Sequence, residues 1–326
     1  MRRREFIALG SGLALASSAS SFETHAQQHK PRVGVLIVGP PAPARDFELV
    51  HHLARIGYVE GRNITFEIRG AAGEIRQLPD LAKELIATKP DVIVAATSPA
   101  AVALVAATTD IPIVMTVVGD PIALGLTGSM SRPTRNITGF TNSSVSLAAK
   151  RLELLREIVP ALRKVAYLWV PLNPLTKQFG AEVRKAADTL GIELLSLPLT
   201  SGTDIAAAFT RAEQEKVMAV LVESDELAVR FSGSIVDECL IRNLPAMHAW
   251  PFEVRNGALI SYGPATVENF PQTATYVDRL LKGAKVADLP FEEPTQIRLA
   301  INLRTARSIG ISVPPSLLTR ADEVIE

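Results

Sequence analysis

The chain has 326 residues, of which 47% are hydrophobic, and 34 Lys and Arg balance 34 Asp and Glu. This balance argues against a nucleic-acid-binding protein, which would show a basic excess. The single cysteine, Cys239, excludes an intramolecular disulfide, and its apolar helical surroundings predict a buried, inert thiol. The length is about twice the roughly 150 residues of a typical domain and predicts two lobes.

The first 26 residues have the pattern of an export signal. Three arginines at 2–4 precede an apolar run at 6–16, and residues 24–26 offer a small-residue cleavage site. The apolar run is too short to span a bilayer, so we expect removal of the segment and a soluble periplasmic product. Residues 3–7 also resemble a twin-arginine signal, with an ordinary Sec signal as the alternative.

Short apolar runs and amphipathic segments alternate after the signal. The first run, 33–38, is apolar without interruption, which is typical of a parallel strand buried on both faces. A helix is predicted at 47–56, where Gly57 ends it. The alternation continues with strands at 64–68, 92–95 and 113–117 and helices at 78–86 and 99–107. This order predicts a doubly wound α/β lobe.

A second series of the same kind follows a crossover. A strand at 137–140 precedes a helix at 144–158. Further strands are predicted at 165–170, 192–197, 218–222 and 246–248, with helices at 175–190, 204–215 and 227–243. Near the end, strand 258–262 and helix 267–281 are predicted to return to the first lobe, and strand 297–301 and helix 303–309 to the second.

This organisation predicts an α/β protein with two Rossmann-like sheets and a ligand cleft between them. We expect lobe 1 to comprise residues 27–141 plus 250–283. Lobe 2 is expected to comprise residues 142–249 plus 284–326, after an export signal at 1–26.

Catalytic signatures are missing from the sequence. It contains no G-x-G-x-x-G after a strand, no P-loop, no G-x-S-x-G, no H-E-x-x-H and no C-x-x-C. His51 and His52 are adjacent on a helix and point about 100° apart, so they do not both face one metal ion. We therefore predict that the protein is not an enzyme and that it binds no cofactor and no metal ion. His248, the only histidine near a strand end, leaves a periplasmic hydrolase as the enzyme alternative.

Candidate ligand residues follow the carboxyl ends of the predicted strands, where open α/β sheets bind ligands. On the first lobe, Thr97 or Ser98 caps a helix whose free N–H groups can hold a carboxylate. Asp120 can take an amino group or cap a turn. Asn142 and Ser143 lie at the expected hinge. A cap or turn that binds nothing is the alternative at the first three positions.

On the second lobe, Asn173 follows the first strand and can both donate and accept hydrogen bonds. Glu223 and Asp225 lie at another strand end, and Asp225 is the better ligand candidate because Glu223 is expected to face solvent. An aromatic or apolar ligand can stack on the ring of Tyr262, with core packing of Tyr262 as the alternative.

A set of sequence runs spread over nearly the whole chain after the signal carries a family resemblance. The runs are 53–63, 119–126, 136–139, 150–156, 261–263, 281–285, 301–306, 313–318 and 321–326, of which the last two are the most specific. They resemble the exported solute-binding proteins of ABC transporters, in the family with tryptophan- and phenylalanine-binding members. The resemblance implies a periplasmic-binding-protein type I fold that closes on a small solute, delivers it to a membrane permease and performs no reaction.

The resemblance defines fold and role more closely than it defines the ligand. Proline-rich residues 40–43 follow the first strand, and residues 248–251 follow the last strand of the second lobe, where more polar loops are expected. The expected ligand is an amino acid or a small aromatic or aliphatic carboxylate. The expected partners are this solute and an inner-membrane ABC permease, with no nucleic acid and a monomeric protein. A periplasmic module that senses a ligand for a membrane sensor is the alternative, because it would use the same cleft.

Overall fold

The computed structural model describes residues 30–143, 145–265 and 269–326. The predicted export signal at 1–26 lies outside these residues, as do Ser144 and Val267 at the starts of two predicted helices. Within the described part of the chain, no helix combines the length and the apolar character that a bilayer crossing requires.

Strands and helices alternate along most of the described chain. The strands are β1 (Arg32–Ile37), β2 (Thr65–Gly70), β3 (Val92–Ala95), β4 (Ile113–Val118), β5 (Ile137–Thr141), β6 (Lys164–Trp169), β7 (Glu193–Pro198), β8 (Ala219–Val222), β9 (Ala246–His248), β10 (Ile260–Pro264), β11 (Ile297–Asn302) and β12 (Glu323–Ile325). The helices are α1 (Glu48–Arg55), α2 (Leu78–Ala87), α3 (Ser98–Ala107), α4 (Ala148–Ile158), α5 (Thr176–Leu190), α6 (Asp204–Gln214), α7 (Glu226–Arg230), α8 (Ser232–Ile241), α9 (Pro251–Arg255), α10 (Asn269–Leu281), α11 (Leu303–Ser308) and α12 (Pro315–Arg320).

The first sheet has the strand order β2-β1-β3-β4-β5, and the pairings of its described strands are parallel. Its side chains fill two cores. Leu36 and Ile93 pack with α2 and α3, whereas Val35 and Val94 pack with α1 and α10. Each of these strands is therefore buried on both faces, which accounts for its uninterrupted apolar run.

The second sheet has the described order β12-β11-β10-β9-β8-β6-β7, in which β10 and β11 pair antiparallel and the other neighbours pair parallel. Tyr167 and Leu221 face the core with α4 and α5, and Leu168 and Val222 face the core with α6 and α8. The two sheets define the two lobes, which confirms the predicted fold class.

The chain crosses between the lobes at three places among the described residues: after β5, between β10 and α10, and before β11. The predicted return of strand 258–262 to the first lobe is wrong, because β10 pairs with β9 and β11 in the second sheet. An apolar run predicts a strand but does not say which of two sheets the strand joins. The segment 284–292 stays with the first lobe, where Leu289 and Phe291 enter its cores. We accordingly propose lobe boundaries after residues 141, 264 and 292.

One predicted helix and three short elements differ from the sequence prediction. The helix expected at 227–243 is divided at Phe231 into α7 and α8, where Ser232 and Gly233 are weak helix formers. The elements α9, α12 and β12 were not predicted, since each contains only a few residues and shows little periodicity. Cys239 is buried on α8, as predicted.

Candidate functional site

A cavity of about 370 Å³ lies between the two lobes. The carboxyl ends of β1, β3 and β4 contribute to one wall, and the loops after β6, β8 and β9 contribute to the other. Its volume lies within the roughly 300–1,000 Å³ of small-molecule sites. The polar lining residues are Thr97, Ser98, Asn142, Asn173, Ser224 and Asp225.

The first-lobe wall is the start of α3. Thr97 precedes the helix with an extended backbone, and Pro99 occupies the first turn. The N–H of Ala101 donates to the Thr97 carbonyl over 2.9 Å, so the N–H groups before it have no partner within the helix. Thr97 Oγ1 is buried and makes no hydrogen bond to a described residue, whereas Ser98 Oγ accepts from Gly119 N–H at 3.0 Å. An anionic group suits this wall.

The second-lobe wall is built around Asp225, which caps α7. Its Oδ1 accepts from Leu227 N–H at 2.7 Å and its Oδ2 from Asn173 Nδ2 at 2.9 Å. Asn173 Oδ1 in turn accepts from Leu175 N–H at 2.8 Å. Burial raises the pKa of Asp225, although these hydrogen bonds act in the opposite direction. Asp225 is the one ionisable side chain among the described residues that line the cavity, so a cationic group suits this wall.

Glu223 lies behind the Asp225 wall and is only 3% exposed, so the expectation that it faces solvent is wrong. Tyr167 OH donates to its Oε2 at 2.6 Å, and Thr176 Oγ1 donates to its Oε1 at 3.1 Å. Burial raises the pKa of Glu223 to about 8, and the nearby Asp225 also raises it. The sequence predicted both the strand end and the helix at 175–190, but not that Thr176 of α5 reaches Glu223 and covers it.

Three aromatic side chains complete the cavity: Trp250, Phe252 and Phe270. Sequence reasoning did not select them as ligand residues. The signal for Trp250 was available, since it follows the carboxyl end of β9. Phe252 lies on the unpredicted helix α9 and Phe270 on the distant helix α10, so their place in the cavity depends on tertiary packing.

The structure brings together five of the eight sequence-predicted ligand residues around this cavity: Thr97, Ser98, Asn142, Asn173 and Asp225. Asp120 and Ser143 line a separate cavity of about 560 Å³, where Asp120 Oδ1 accepts from the N–H groups of the two residues that follow Pro121. Tyr262 packs against the core of the second lobe. The role of all eight residues in ligand binding stays a prediction.

The lobes also contact each other beside the cavity. The guanidinium of Arg230 on α7 donates a hydrogen bond to the carbonyl of Ala72 in the first lobe. Gly119 of the first lobe lies so close to Leu175 of the second that a side chain at Gly119 would clash. The two lobes are therefore in direct contact at both of these places. No cluster of His, Cys, Asp and Glu able to hold a metal ion occurs in the described part of the chain.

Comparison with solved structures supports the fold. A conserved domain protein of Vibrio cholerae is 27% identical, with a TM-score of 0.83 over 90% of this chain and 99% of the other. An ABC domain from Streptococcus pneumoniae, solved in complex with L-Trp, is 25% identical, with a TM-score of 0.81 over 91% of this chain and 100% of the other.

Sequence comparison gives the family. A protein of Clostridioides difficile named tyrosine-binding protein is 26% identical over 256 residues, which is 78% of this chain and 73% of the relative. This relative is named for binding tyrosine, and the Streptococcus pneumoniae domain was solved with bound L-Trp. The sequence model described as ABC transporter substrate binding protein matches residues 33–325. The chain therefore belongs to the ABC transporter substrate-binding protein family, whose members bind small solutes and deliver them to an ABC permease.

Proposed function

We propose that this protein is the periplasmic receptor of an importer for an aromatic α-amino acid. The observation that carries the proposal is the pairing of opposite walls in one cavity between the lobes. The start of α3, where Thr97 Oγ1 has no described hydrogen-bond partner, lines the cavity from the first lobe, and a single acidic residue, Asp225, lines it from the second. An amino acid carries the two matching charges on one carbon atom.

The carboxylate of the solute is placed at the start of α3, where Thr97 Oγ1 and the free helix N–H groups donate. Its ammonium group is placed at Asp225, which offers the remaining lone pairs of a buried carboxylate. Trp250, Phe252 and Phe270 supply the apolar surface for the side chain.

The names of two relatives support the aromatic class. One relative is named a tyrosine-binding protein, and another was solved with L-Trp. Both similarities are near 25% identity, so the individual solute is a matter for experiment. A small aromatic or aliphatic carboxylate that lacks an amino group would leave Asp225 without a counterion.

The remaining parts of the proposal concern location and assembly. We propose export by the N-terminal signal, removal of that signal, and action as a monomer that hands the solute to a permease in the inner membrane. No cofactor, metal ion or nucleic acid enters this function.

A thermal-shift screen of the chain from residue 27 onward tests the proposal. The probes are the L-amino acids, the deaminated analogues of tyrosine and tryptophan, and aliphatic carboxylates. At 100 times its dissociation constant, the correct solute adds about 2.7 kcal/mol of stability. We expect stabilisation by L-Tyr, L-Phe or L-Trp and not by their deaminated analogues. Stabilisation by the analogues alone, or by aliphatic carboxylates alone, would overturn the assignment.

A further inference from the structure

A buried ionic cluster lies directly behind the aromatic wall of the cavity. Glu253 on α9 is 2% exposed, and its Oε1 lies 3.0 Å from Nδ1 of His248, which is fully buried. The other carboxylate oxygen, Oε2, accepts from the N–H of Trp250 at 3.0 Å. One carboxylate therefore bridges the two ends of the three-residue turn 248–250.

Two further features surround this turn. Arg151 on α4 is buried and interacts electrostatically with Glu253, while its Nε donates to the Tyr262 carbonyl at 2.7 Å. Burial lowers the pKa of Arg151 to about 10. Because this value is still well above 7, Arg151 carries its positive charge at neutral pH. A side chain at Gly263 would clash with the Ala249 carbonyl, so β10 packs tightly against the turn.

Burying these charged groups costs free energy, and a stable core could be built without them. Removing charges from water costs free energy that an ion pair often does not recover, and well-packed apolar residues commonly do as well. A buried charge cluster is therefore better explained by the geometry that it imposes. The element whose geometry it imposes here carries Trp250, which is 5% exposed and lines the ligand cavity.

We propose that Glu253 is a positioning residue that fixes the turn 248–250 and so holds the Trp250 indole against the solute. This inference rests on the proposed function, because it takes the cavity to be the solute site. It goes beyond the proposed function because Glu253, which does not line the cavity, is given a role in recognising the aromatic ring of the solute. With both carboxylate oxygens engaged, loss of either hydrogen bond frees one end of the turn.

The chain allows a test that needs no ligand, because it has only two tryptophans, Trp169 and Trp250. In a Trp169→Phe parent, Trp250 is the sole indole, and its emission maximum and acrylamide quenching report how it is held. Glu253→Gln in this parent is expected to shift the emission to the red and to increase quenching while far-UV circular dichroism is retained. If Glu253→Gln does not fold, Glu253→Asp, which keeps the charge but shortens the reach, is measured in the same way.

A matched control removes an ion pair of the same helix that does not contact the turn. Glu323 accepts from Arg255 of α9 at 2.7 Å in a partly exposed pair. Glu323→Gln is expected to leave the emission and quenching of Trp250 unchanged. An equal change in this control would show general loosening of α9 and would overturn the positioning role.

Calorimetric titration with L-tryptophan and L-alanine gives the second readout. Glu253→Gln is expected to weaken L-tryptophan binding about tenfold relative to the parent. Where L-alanine binding is measurable, its affinity is expected to fall by less, because L-alanine has no ring to contact Trp250. Unchanged emission, quenching and affinity in a folded variant would overturn the inference, as would a displaced indole with unchanged affinity. If the parent binds no aromatic amino acid, the proposed function fails, whereas the fluorescence result still decides whether Glu253 holds Trp250.

Discussion

The two walls of the cavity differ in how far they satisfy their own hydrogen bonds. On the second lobe, Asp225 and Asn173 bond to each other and to backbone N–H groups, and Glu223 behind them holds Tyr167 and Thr176. On the first lobe, Thr97 Oγ1 makes no hydrogen bond to a described residue.

This difference assigns separate tasks to the walls. The hydrogen bonds of the second-lobe wall need no solute, so its acidic group is expected to be held in position before a solute binds. Under the proposed function, Thr97 Oγ1 of the first-lobe wall is expected to gain a hydrogen bond when the carboxylate of the solute binds. We expect substitutions on the second-lobe wall to have the larger effects.

The largest expected effect follows from removing the charge of that wall. Asp225→Asn keeps an oxygen for the N–H of Leu227 but is expected to weaken binding of an amino acid about 100-fold, because the buried ammonium loses its counterion. Isothermal titration of the variant with the L-amino acid and with its deaminated analogue checks this. Unchanged affinity of the variant for the L-amino acid, or parental binding of the analogue as tight as that of the amino acid, would mean that Asp225 does not meet an ammonium group.

The next effect concerns the stability of the same wall. The pKa of Glu223 is raised from 4.5 to about 8 in the folded protein, so the folded state keeps a proton that the unfolded chain releases. The free energy of unfolding is therefore expected to fall between about pH 4.5 and pH 8, by up to about 1.4 kcal/mol per pH unit. The stabilising contribution of Glu223 is fully present below about pH 4.5 and is lost as the pH rises to about 8.

Urea unfolding at a series of pH values measures this slope. Glu223→Gln is expected to remove the contribution, since an amide does not titrate in this range. Glu215→Gln is the matched control, because Glu215 is exposed and pairs with Lys164. A Glu223→Gln protein with the parental pH profile would contradict the assignment of the buried proton.

A smaller effect is expected on the first-lobe wall. Thr97→Val preserves shape and removes only Oγ1, so amino-acid affinity is expected to fall about fivefold, with stability unchanged or slightly higher. Thr141→Val is the control, because Thr141 Oγ1 is also buried without a described partner but lies outside this cavity. A similar affinity loss in both variants would remove the special role of Thr97.

The smallest expected effect is on closure of the lobes. Arg230→Gln removes one hydrogen bond to the Ala72 carbonyl and is expected to raise the dissociation constant about threefold through a faster off-rate. Stopped-flow fluorescence measures this rate. Arg307→Gln changes an exposed arginine of α11 and is expected to leave the rate unchanged; an equal acceleration there would exclude a specific latch.

Local sequence patterns determined most of the fold. Uninterrupted apolar runs predicted the parallel strands because both faces of each sheet are covered, as Leu36 and Val35 of β1 show. The rule that ligands bind at strand carboxyl ends selected Thr97, Ser98 and Asp225, which the structure brings to one cavity. These features depend on residues near one another in the chain.

Tertiary structure alone decided which distant segments meet. β10 joined the second sheet, Glu223 was covered by Thr176 of α5, and Phe252 and Phe270 reached one cavity from separate helices. Periodicity records how much of a side chain is buried but not which partner buries it. For the same reason the sequence determined two α/β lobes with a cleft, whereas the packing between lobes determined which side chains a solute would meet.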